Sequence, residues 1–272
     1  MRLPIFDEVE SPLAPRASDY PVSEEVSDRQ RTNLQAELIE RGFAVCPVHT
    51  FRALAKTIAP EDWARFAQSW DDMPLDDFMG DGGRYRRRRF STFSICDGVI
   101  RPKPAQPHFQ SRAYNPLNGD LHRIFAPFAH ESLTNPAFLA ILRLCDRVFS
   151  ALSPECGEWH AEAHQFRIEA TGSLSGKPTP EGMHRDGVDW VLTMLVGRRN
   201  VVGGTTRITA QDGSGDHRVQ LSEPLDSCLL DDQRLWHGVT PIRAIDPEKP
   251  ASRDALVITF TRSTAGDGSA GS

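Results

Sequence analysis

Three residues in the last third of the chain have the types and the spacing of a metal site. His184 and Asp186 are separated by one residue in the run Pro180-Glu-Gly-Met-His-Arg-Asp-Gly187. In a strand, side chains two positions apart point to the same side, so an imidazole and a carboxylate can approach one ion. A third ligand must come from another segment. His237 is the candidate, because it begins His-Gly-Val-Thr-Pro-Ile242 on a later predicted strand.

Two histidines and one carboxylate on one face of an ion form a facial triad, the ligand set of non-haem iron(II). This set leaves three coordination positions open for a cosubstrate and O₂. A zinc site with two histidines and one carboxylate usually has the helical pattern H-E-x-x-H, which the sequence lacks. We therefore predict iron(II) at His184, Asp186 and His237.

A cosubstrate that chelates the iron at one end needs a cation for the carboxylate at its other end. Arg253 opens the last predicted strand, which is expected to pair near the strand of His237. Its guanidinium can hold a carboxylate through two parallel hydrogen bonds. Arg243 and Arg262 compete for this role, and each of the three arginines could instead form a surface ion pair.

Three further residues are weaker candidates for binding the substrate or the cosubstrate. Arg167 lies in an apolar setting between Phe166 and Ile168, where a charge inside a barrel is costly unless it is paired. Gln110 and Asn115 lie in a loop-rich segment that is expected to cover the mouth of the barrel. The alternative for both is a hydrogen bond that stabilises the loop.

Residues Arg86 to Arg89, with Arg84 before them, form the basic run of the chain. On a strand these arginines divide between two faces, so at most half of them can enter a pocket. Solvated charge, a contact with a substrate carboxylate and a contact with nucleic acid are all open. Nucleic acid is disfavoured, because aromatic residues are not interleaved with the run.

Four polar residues near the metal motif have less defined roles. Asp231 and Asp232 precede His237 and could orient the iron ligands. His160 and His164 fall in a predicted strand and are expected to be structural or surface residues. None of the four is placed in the predicted site.

Hydrophobic periodicity predicts helices in the first half of the chain and strands in the second. Helices are predicted over residues 23–41, 60–70 and 135–152, and strands over 43–48 and 85–95. Short strands separated by Gly, Pro, Asp and Ser are then predicted over residues 159–170, 188–196, 205–210, 218–221, 227–230, 236–242 and 255–261. This order favours a mainly β fold, a double-stranded β-helix (jelly roll, cupin-like) buttressed by N-terminal helices.

The predicted organisation is an irregular segment over residues 1–20, one domain over 21–262 and a flexible tail over 263–272. Within the domain we expect helical support in 21–152 and the main β core in 159–262. A length of 272 residues agrees with one decorated domain.

Composition limits the possible partners. A net charge of −6 and a pI near 5.9 argue against general binding to nucleic acid or to an anionic membrane, since phosphate binding needs an excess of Lys and Arg. The five cysteines form no C-x-x-C pair, which favours free thiols in a reducing compartment. The sequence has no signal peptide and no apolar run of membrane-spanning length, so we expect a cytoplasmic protein.

The second half of the chain resembles the bacterial 2-oxoglutarate-Fe(II) dioxygenases that hydroxylate free L-amino acids, the isoleucine dioxygenase group. The matching pieces are Glu181-Gly-Met-His-Arg-Asp-Gly187, Gly197-Arg-Arg-Asn-Val-Val-Gly-Gly204, Pro224-Leu-Asp226, Asp231-Asp232, His237-Gly-Val-Thr-Pro-Ile242 and Arg253-Asp254. Weaker likeness extends upstream, and the N-terminal helices match no known pattern.

This resemblance implies a definite chemistry. 2-Oxoglutarate binds the iron through its 2-oxo acid end, and Arg253 binds its other carboxylate. O₂ converts it to succinate and CO₂, and an unactivated C–H bond of a free amino acid or a close derivative is hydroxylated. The open alternatives are the same chemistry on a peptide, protein or nucleotide-type substrate, and a catalytically silent jelly-roll binding module. Oligomeric state is not predicted.

Overall fold

The computed structural model describes residues 24–55, 58–172 and 174–263. The predicted irregular segment 1–20, the first residue of the predicted helix 23–41 and the tail after Ser263 lie outside the described residues. The helices are α1 (Glu24–Arg41), α2 (Val48–Leu54), α3 (Pro60–Gln68), α4 (His130–Leu133) and α5 (Pro136–Leu152). The first seven strands are β1 (Phe43–Cys46), β2 (Arg86–Cys96), β3 (Val99–Pro102), β4 (Trp159–Ala170), β5 (Trp190–Arg199), β6 (Val201–Gly203) and β7 (Thr206–Ala210). The others are β8 (His217–Val219), β9 (Ser227–Asp231), β10 (Leu235–Val239), β11 (Ile242–Ala244) and β12 (Ala251–Arg262).

The strands form one large antiparallel sheet and two small ones. The large sheet has seven strands in the order β1-β9-β5-β12-β4-β2-β3. The small sheets have the orders β10-β7-β8 and β11-β6. The antiparallel pairing and the crossovers between strands that are distant in sequence confirm the predicted mainly β, jelly-roll fold.

Helix α5 packs on the outer face of the large sheet because its start is well capped and one face is apolar. The Asn135 side chain accepts hydrogen bonds from the backbone N–H groups of Ala137 and Phe138, and Pro136 occupies the first turn. Phe138 and Phe149 are fully buried in the main hydrophobic core between the helices and the sheet. The helices therefore cover one face of the sheet and leave the other face for a cavity.

Strand prediction succeeded where polar and apolar residues alternate over a long run. The predicted strand 159–170 is β4, and β12 pairs with it along its full length. The predicted strand 236–242 is divided into β10 and β11 at Thr240 and Pro241, because proline has no N–H for a ladder hydrogen bond. Strands β1 and β2 lie inside the segment expected to be helical support, and both join the large sheet.

Helix α2 was not predicted, because its N-terminus is capped from a distant part of the chain. The backbone N–H of Val48 donates to a carboxylate oxygen of Asp226 at 2.9 Å. The residue before the helix, Pro47, makes no side-chain cap. A cap supplied over such a sequence distance leaves no local pattern. Within the described ranges, no helix is long and apolar enough to cross a membrane.

Candidate metal centre

A single antiparallel bridge brings the two predicted histidine ligands together. The backbone N–H of His184 donates to the carbonyl of His237, and the reverse bond is equally short, at 2.9 Å. The two imidazole ring centres are 4.5 Å apart. Asp186 completes the group, with its Oδ2 3.3 Å from His237 Nε2 and its Oδ1 3.7 Å from His184 Nε2.

One nitrogen or oxygen atom from each of His184, Asp186 and His237 lies within 4.8 Å of the other two, close enough to hold one metal ion. We call these three residues the triad. The Nδ1 of His184 is 3.1 Å from the carbonyl of Gly182, which can accept its hydrogen and leave Nε2 as the ligand atom. The donor set of the triad fits iron(II).

The segment that carries His184 and Asp186 is not a regular strand, contrary to the reasoning from two-residue periodicity. Strand β5 begins only at Trp190, and His184 makes one isolated bridge. Asp232 fixes the segment instead. Its carboxylate accepts hydrogen bonds from the backbone N–H groups of Asp186, Gly187 and Val188, at 2.9, 2.7 and 3.1 Å.

Gly187 is required by the close approach of Tyr114. Gly187 has φ +82°, and a Cβ at this position would lie 2.6 Å from ring atoms of Tyr114. The glycine that follows the aspartate ligand therefore serves both the turn and the packing of the loop over the site.

Opposed effects set the charges of the triad. Burial alone would raise the pKa of Asp186, but the hydrogen bond and charge of His237, followed by the charge of His184, lower it below its ordinary value. Burial alone would lower the pKa of His237, and the hydrogen bond and charge of Asp186 raise it. Asp232 has a raised pKa because it is buried and lies near Asp186. Its Oδ1 lies 3.7 Å from Nδ1 of His237, so it supports the site mainly through the backbone.

The triad opens into a cavity of about 350 Å³. Alternate residues of three neighbouring strands line the opposite wall, because successive side chains of a strand point to opposite faces. From β4 they are His160, Glu162, His164, Phe166 and Ile168; from β12 they are Arg253, Ala255, Val257, Thr259 and Thr261; from β2 they are Arg86 and Arg88. His160 and His164, which were expected to be structural or surface residues, both face the cavity.

Arg253 lies in the cavity wall with an incomplete set of hydrogen bonds. It is 2% exposed, and its Nε and Nη2 have no hydrogen-bond partner among the described residues. Burial, followed by the charge of Arg198, lowers the pKa of Arg253 to about 10. The glycine at 204 gives it room, because a Cβ there would lie 2.9 Å from its Cδ. A buried guanidinium without a counterion fits a carboxylate ligand.

The other arginine candidates lie elsewhere. Arg167 is on the face of β4 opposite to the cavity, where it binds the carboxylates of Asp254 at 2.8 Å and Asp71 at 3.0 Å. This placement corrects the prediction that Arg167 binds the substrate or the cosubstrate, because its charge is paired within the protein. Arg262 forms ion pairs with Glu155 and Asp189, and Arg243 does not line the cavity.

Gln110 and Asn115 do line the cavity, at its entrance. The Gln110 side-chain amide donates to the backbone carbonyl and the Oδ1 of Asp186, both at 3.3 Å. The Asn115 amide donates to Oε1 of Gln110 at 2.9 Å, which fixes the orientation of Gln110. Both the loop-stabilising and the ligand-binding interpretations of these residues agree with this placement.

The arginine run divides between two faces as its strand alternation predicts. Arg86 and Arg88 are 4% exposed and face the cavity, and Arg87 and Arg89 face outward. Arg86 is paired with the buried Asp76 at 2.7 Å. The outward arginines contact backbone carbonyls and nearby carboxylates, so the run forms no continuous basic surface for a large partner.

A second group of metal-ligand residue types, His108, Glu162 and His164, lies in the same cavity. Sequence reasoning missed it, although the polar residues at every second position of β4 were a usable signal. Arg88 Nη2 lies 2.9 Å from His164 Nδ1. Burial, with the charge of Arg88 next, lowers the pKa of His164 well below its ordinary value. We call this group the second cluster. The guanidinium beside it disfavours a bound cation.

The family model described as 2OG-Fe dioxygenase matches residues 67–259, well over half of the chain and the whole of the triad. The chain belongs to the 2OG-Fe dioxygenase family. Members of this family use iron(II), 2-oxoglutarate and O₂, and the triad supplies the residue types that would hold the metal. This membership confirms the resemblance to the 2-oxoglutarate-Fe(II) dioxygenases.

Two curated relatives of this 2OG-Fe dioxygenase are enzymes. The 3(1)-hydroxy-L-isoleucine 4-dioxygenase of Pantoea ananatis is 30% identical over 162 residues, which cover 57% of this chain and 64% of the relative. The bifunctional enzyme flvA of Aspergillus flavus is 30% identical over 114 residues, which cover 37% of this chain and 14% of that protein. The chain therefore spans less than two thirds of the length of either relative.

Solved structures share the fold over most of this dioxygenase. A bsmA homolog from Methylobium petroleophilum PM1 has a TM-score of 0.79 and 34% identity, and the match covers 85% of this chain and 92% of the other. IDO from Bacillus thuringiensis has a TM-score of 0.71 at 20% identity, and the match covers 86% and 100% of the two chains. The second likeness supports the fold alone.

Proposed function

We propose that this protein hydroxylates an unactivated C–H bond of a free L-amino acid or a close amino-acid derivative. The reaction consumes one O₂ and one 2-oxoglutarate and releases succinate and CO₂, so that one oxygen atom enters the substrate and the other enters succinate. The observation that carries this proposal is the buried guanidinium of Arg253, whose Nε and Nη2 have no hydrogen-bond partner in the described part of the chain, in a small cavity that also contains the triad.

In this proposal His184, Asp186 and His237 hold the iron, and Arg253 binds the far carboxylate of 2-oxoglutarate. When bound, the iron and its cosubstrates supply an oxidant strong enough for an unactivated C–H bond. The protein residues supply geometry: Asp232 holds the backbone that carries Asp186, and the His184–His237 bridge fixes the two imidazoles.

The size and enclosure of the cavity support a small substrate. A volume of about 350 Å³ is at the small end of ligand sites in proteins. The isoleucine-derivative activity of the Pantoea relative supports an amino acid, although that relative is only 30% identical. A peptide or nucleic acid is less favoured, because Arg86 and Arg88 are buried inside the cavity rather than displayed at the surface.

Turnover tests the proposal. Purified protein with iron(II), ascorbate and 2-oxoglutarate should release succinate when offered pools of L-amino acids and their hydroxylated derivatives, with a mass gain of one oxygen in the substrate. Asp186→Ala should reduce succinate release to background. Coupled turnover on peptides or nucleotides but on no amino acid would contradict the proposed substrate, and failure of wild-type protein to consume 2-oxoglutarate with any pool would contradict the activity.

The role of Arg253 has a separate test. Arg253→Met should raise the KM for 2-oxoglutarate about 10- to 100-fold, because a charge-assisted bidentate contact is lost. Arg243→Met is the matched control, since Arg243 does not line the cavity. An unchanged KM in Arg253→Met would show that another cation binds the cosubstrate.

A further inference from the structure

Two more arginines, Arg88 and Arg123, line the cavity at a place that the proposed cosubstrate site does not use. Arg88 lies on β2, and Arg123 lies beside it on a segment that forms a two-way backbone bridge with His108. Both are almost completely buried, at 4% and 2% exposure. Buried arginines normally have partners for their charge, so their surroundings decide what they do.

The ring of Phe125 holds both guanidinium groups in one place. The Arg88 guanidinium carbon is 3.9 Å from the centre of this ring, and that of Arg123 is 5.9 Å from it. Phe166 contacts Arg88 from the cavity wall, with its ring centre at 4.9 Å. The aromatic contacts fix the orientation of the two cations but do not neutralise them.

The guanidinium groups of Arg88 and Arg123 have incomplete hydrogen bonds and no ion-pair partner among the described residues. Arg86 has its own carboxylate in Asp76, whereas the nearest hydrogen-bond partner of Arg88 is a neutral ring nitrogen of His164. Arg88 Nε and Arg123 Nε and Nη2 have no hydrogen-bond partner in the described ranges. The carboxylates of Asp76, Glu181 and Glu162 attract Arg123 from a distance, but none of them forms an ion pair with Arg88 or Arg123 among the described residues.

The consequence is a buried pair of like charges. Burial, followed by repulsion from Arg86 and Arg123, lowers the pKa of Arg88 well below its ordinary value. Burial and then the charge of Arg86 also lower the pKa of Arg123. A bound anion would relieve this repulsion and complete the missing hydrogen bonds.

This region is separate from Arg253. In the large sheet β4 lies between β2 and β12, and Phe166 and Ile168 of β4 face the cavity between the two sides. Strands are spaced about 4.8 Å apart, so the backbones of β2 and β12 are roughly 10 Å apart. Two carboxylates can therefore bind the same sheet without sharing an arginine.

We propose that Arg88 and Arg123 bind the α-carboxylate of the amino-acid substrate, while Arg253 binds 2-oxoglutarate. This inference rests on the proposed function, since it takes the substrate to be an amino acid. The planar fork of a guanidinium matches a carboxylate, and two such groups around Phe125 offer the bidentate contacts that distinguish a free acid from its ester. The apolar Val257 and Val239 also line this cavity.

Binding measured without turnover tests this subsite. Nickel(II) replaces iron(II), 2-oxoglutarate is present, and the melting temperature and Kd are measured with single L-amino acids and with their methyl esters. For the wild-type protein, at least one free amino acid should bind and its ester should bind about 10- to 100-fold more weakly, because a charge-assisted contact is lost. The ester comparison uses the wild-type chain and so needs no variant to fold.

Arg88→Met and Arg123→Met should each weaken the binding of the same amino acid by a similar factor, while 2-oxoglutarate still binds. Without substrate, each variant should still unfold in a cooperative transition, which shows that weaker amino-acid binding is not a loss of the fold. Arg87→Met is the matched control: Arg87 is the next residue of β2 and faces outward, against Glu169. It should bind the amino acid as the wild type does.

The outcomes separate two failures. The carboxylate subsite is wrong, and the proposed function stands, in either of two cases. The first is that an amino acid and its ester bind with the same affinity. The second is that the amino acid binds to the Arg88 and Arg123 variants as tightly as to the wild type. If no amino acid raises the melting temperature of the wild-type protein, the proposed substrate is wrong and the subsite assignment fails with it.

Discussion

The triad and the second cluster contain the same residue types in the same cavity but differ in their charged neighbours. Each has two histidines and one carboxylate, with ligand atoms close enough for one ion. None of the ion pairs among the described residues joins a lysine or arginine to the triad, whose carboxylate is paired only with histidines. In the second cluster, Arg88 lies 2.9 Å from His164.

The backbone also differs between the two groups. Asp232 holds the chain around Asp186 through three N–H groups, so the triad carboxylate has a fixed direction. The carboxylate of Glu162 is instead bound by the side chain of His108 at 3.0 Å. Residue types and distances alone would make both groups metal sites. The charge beside each group separates them, because a neighbouring guanidinium opposes the binding of a second cation.

The strongest test of this comparison is to remove one histidine from each group. The metal affinity of His184→Ala should fall by more than the roughly 100-fold that is typical of changes outside the ligand set. His164→Ala should retain it, because its group does not hold the ion. The measurement is a titration with cobalt(II) followed by its absorption, with metal content after dialysis as a check. Retained metal in His184→Ala and lost metal in His164→Ala would reverse the assignment.

A smaller effect is expected from the carboxylate that orients the triad. Asp232→Asn leaves only one side-chain acceptor oxygen for the three backbone N–H groups, so metal affinity should fall about 10- to 100-fold. Asp231→Asn is the control, because the Asp231 carboxylate accepts from the nearby Gln233 N–H. The same cobalt titration measures both. Equal losses in the two variants would indicate a general effect on this turn rather than a role of Asp232.

Sequence alone was sufficient for the residues of the triad but not for their geometry. The pair His184 and Asp186 with the distant His237 was found, although the strand periodicity used to align them does not occur there. The orientation of Asp186 comes from Asp232, through hydrogen bonds to the backbone. Such a bond can be suggested by a nearby aspartate but has no spacing rule that would predict it.

The wall opposite the triad was harder to predict, since it depends on which face of each strand is inward. Arg167 and Phe166 are neighbours on β4, and a shift of one residue exchanges their faces. Arg167 was chosen because it is charged, yet Phe166 is the residue in the cavity. Arg123 comes from an irregular segment, where it forms an isolated bridge to His108, so no periodicity in its own segment indicates it.

The smallest expected effect concerns the charge of Glu162. Burial alone would raise its pKa, but hydrogen bonds from His108 and His160 lower it from 4.5 to about 2. A carboxyl with a lower pKa in the folded protein stabilises the fold at pH values above its unfolded pKa, and this stabilisation is lost as the pH falls from 4.5 toward 2. Glu162→Gln should therefore be less stable than the wild type at neutral pH, by about 1 to 2 kcal/mol.

That difference should shrink as the pH falls below 4.5, and urea unfolding of the metal-free protein at several pH values measures it. The matched control is Glu169→Gln, on the other face of β4, where the ion pair with Arg87 is partly exposed and should contribute about 0 to 1 kcal/mol. A pH-independent difference for Glu162→Gln would mean that its role is packing rather than charge. The charge of Glu162 would then contribute nothing to the stability of the second cluster. The electrostatic difference between this cluster and the triad would rest on the charge of Arg88 alone.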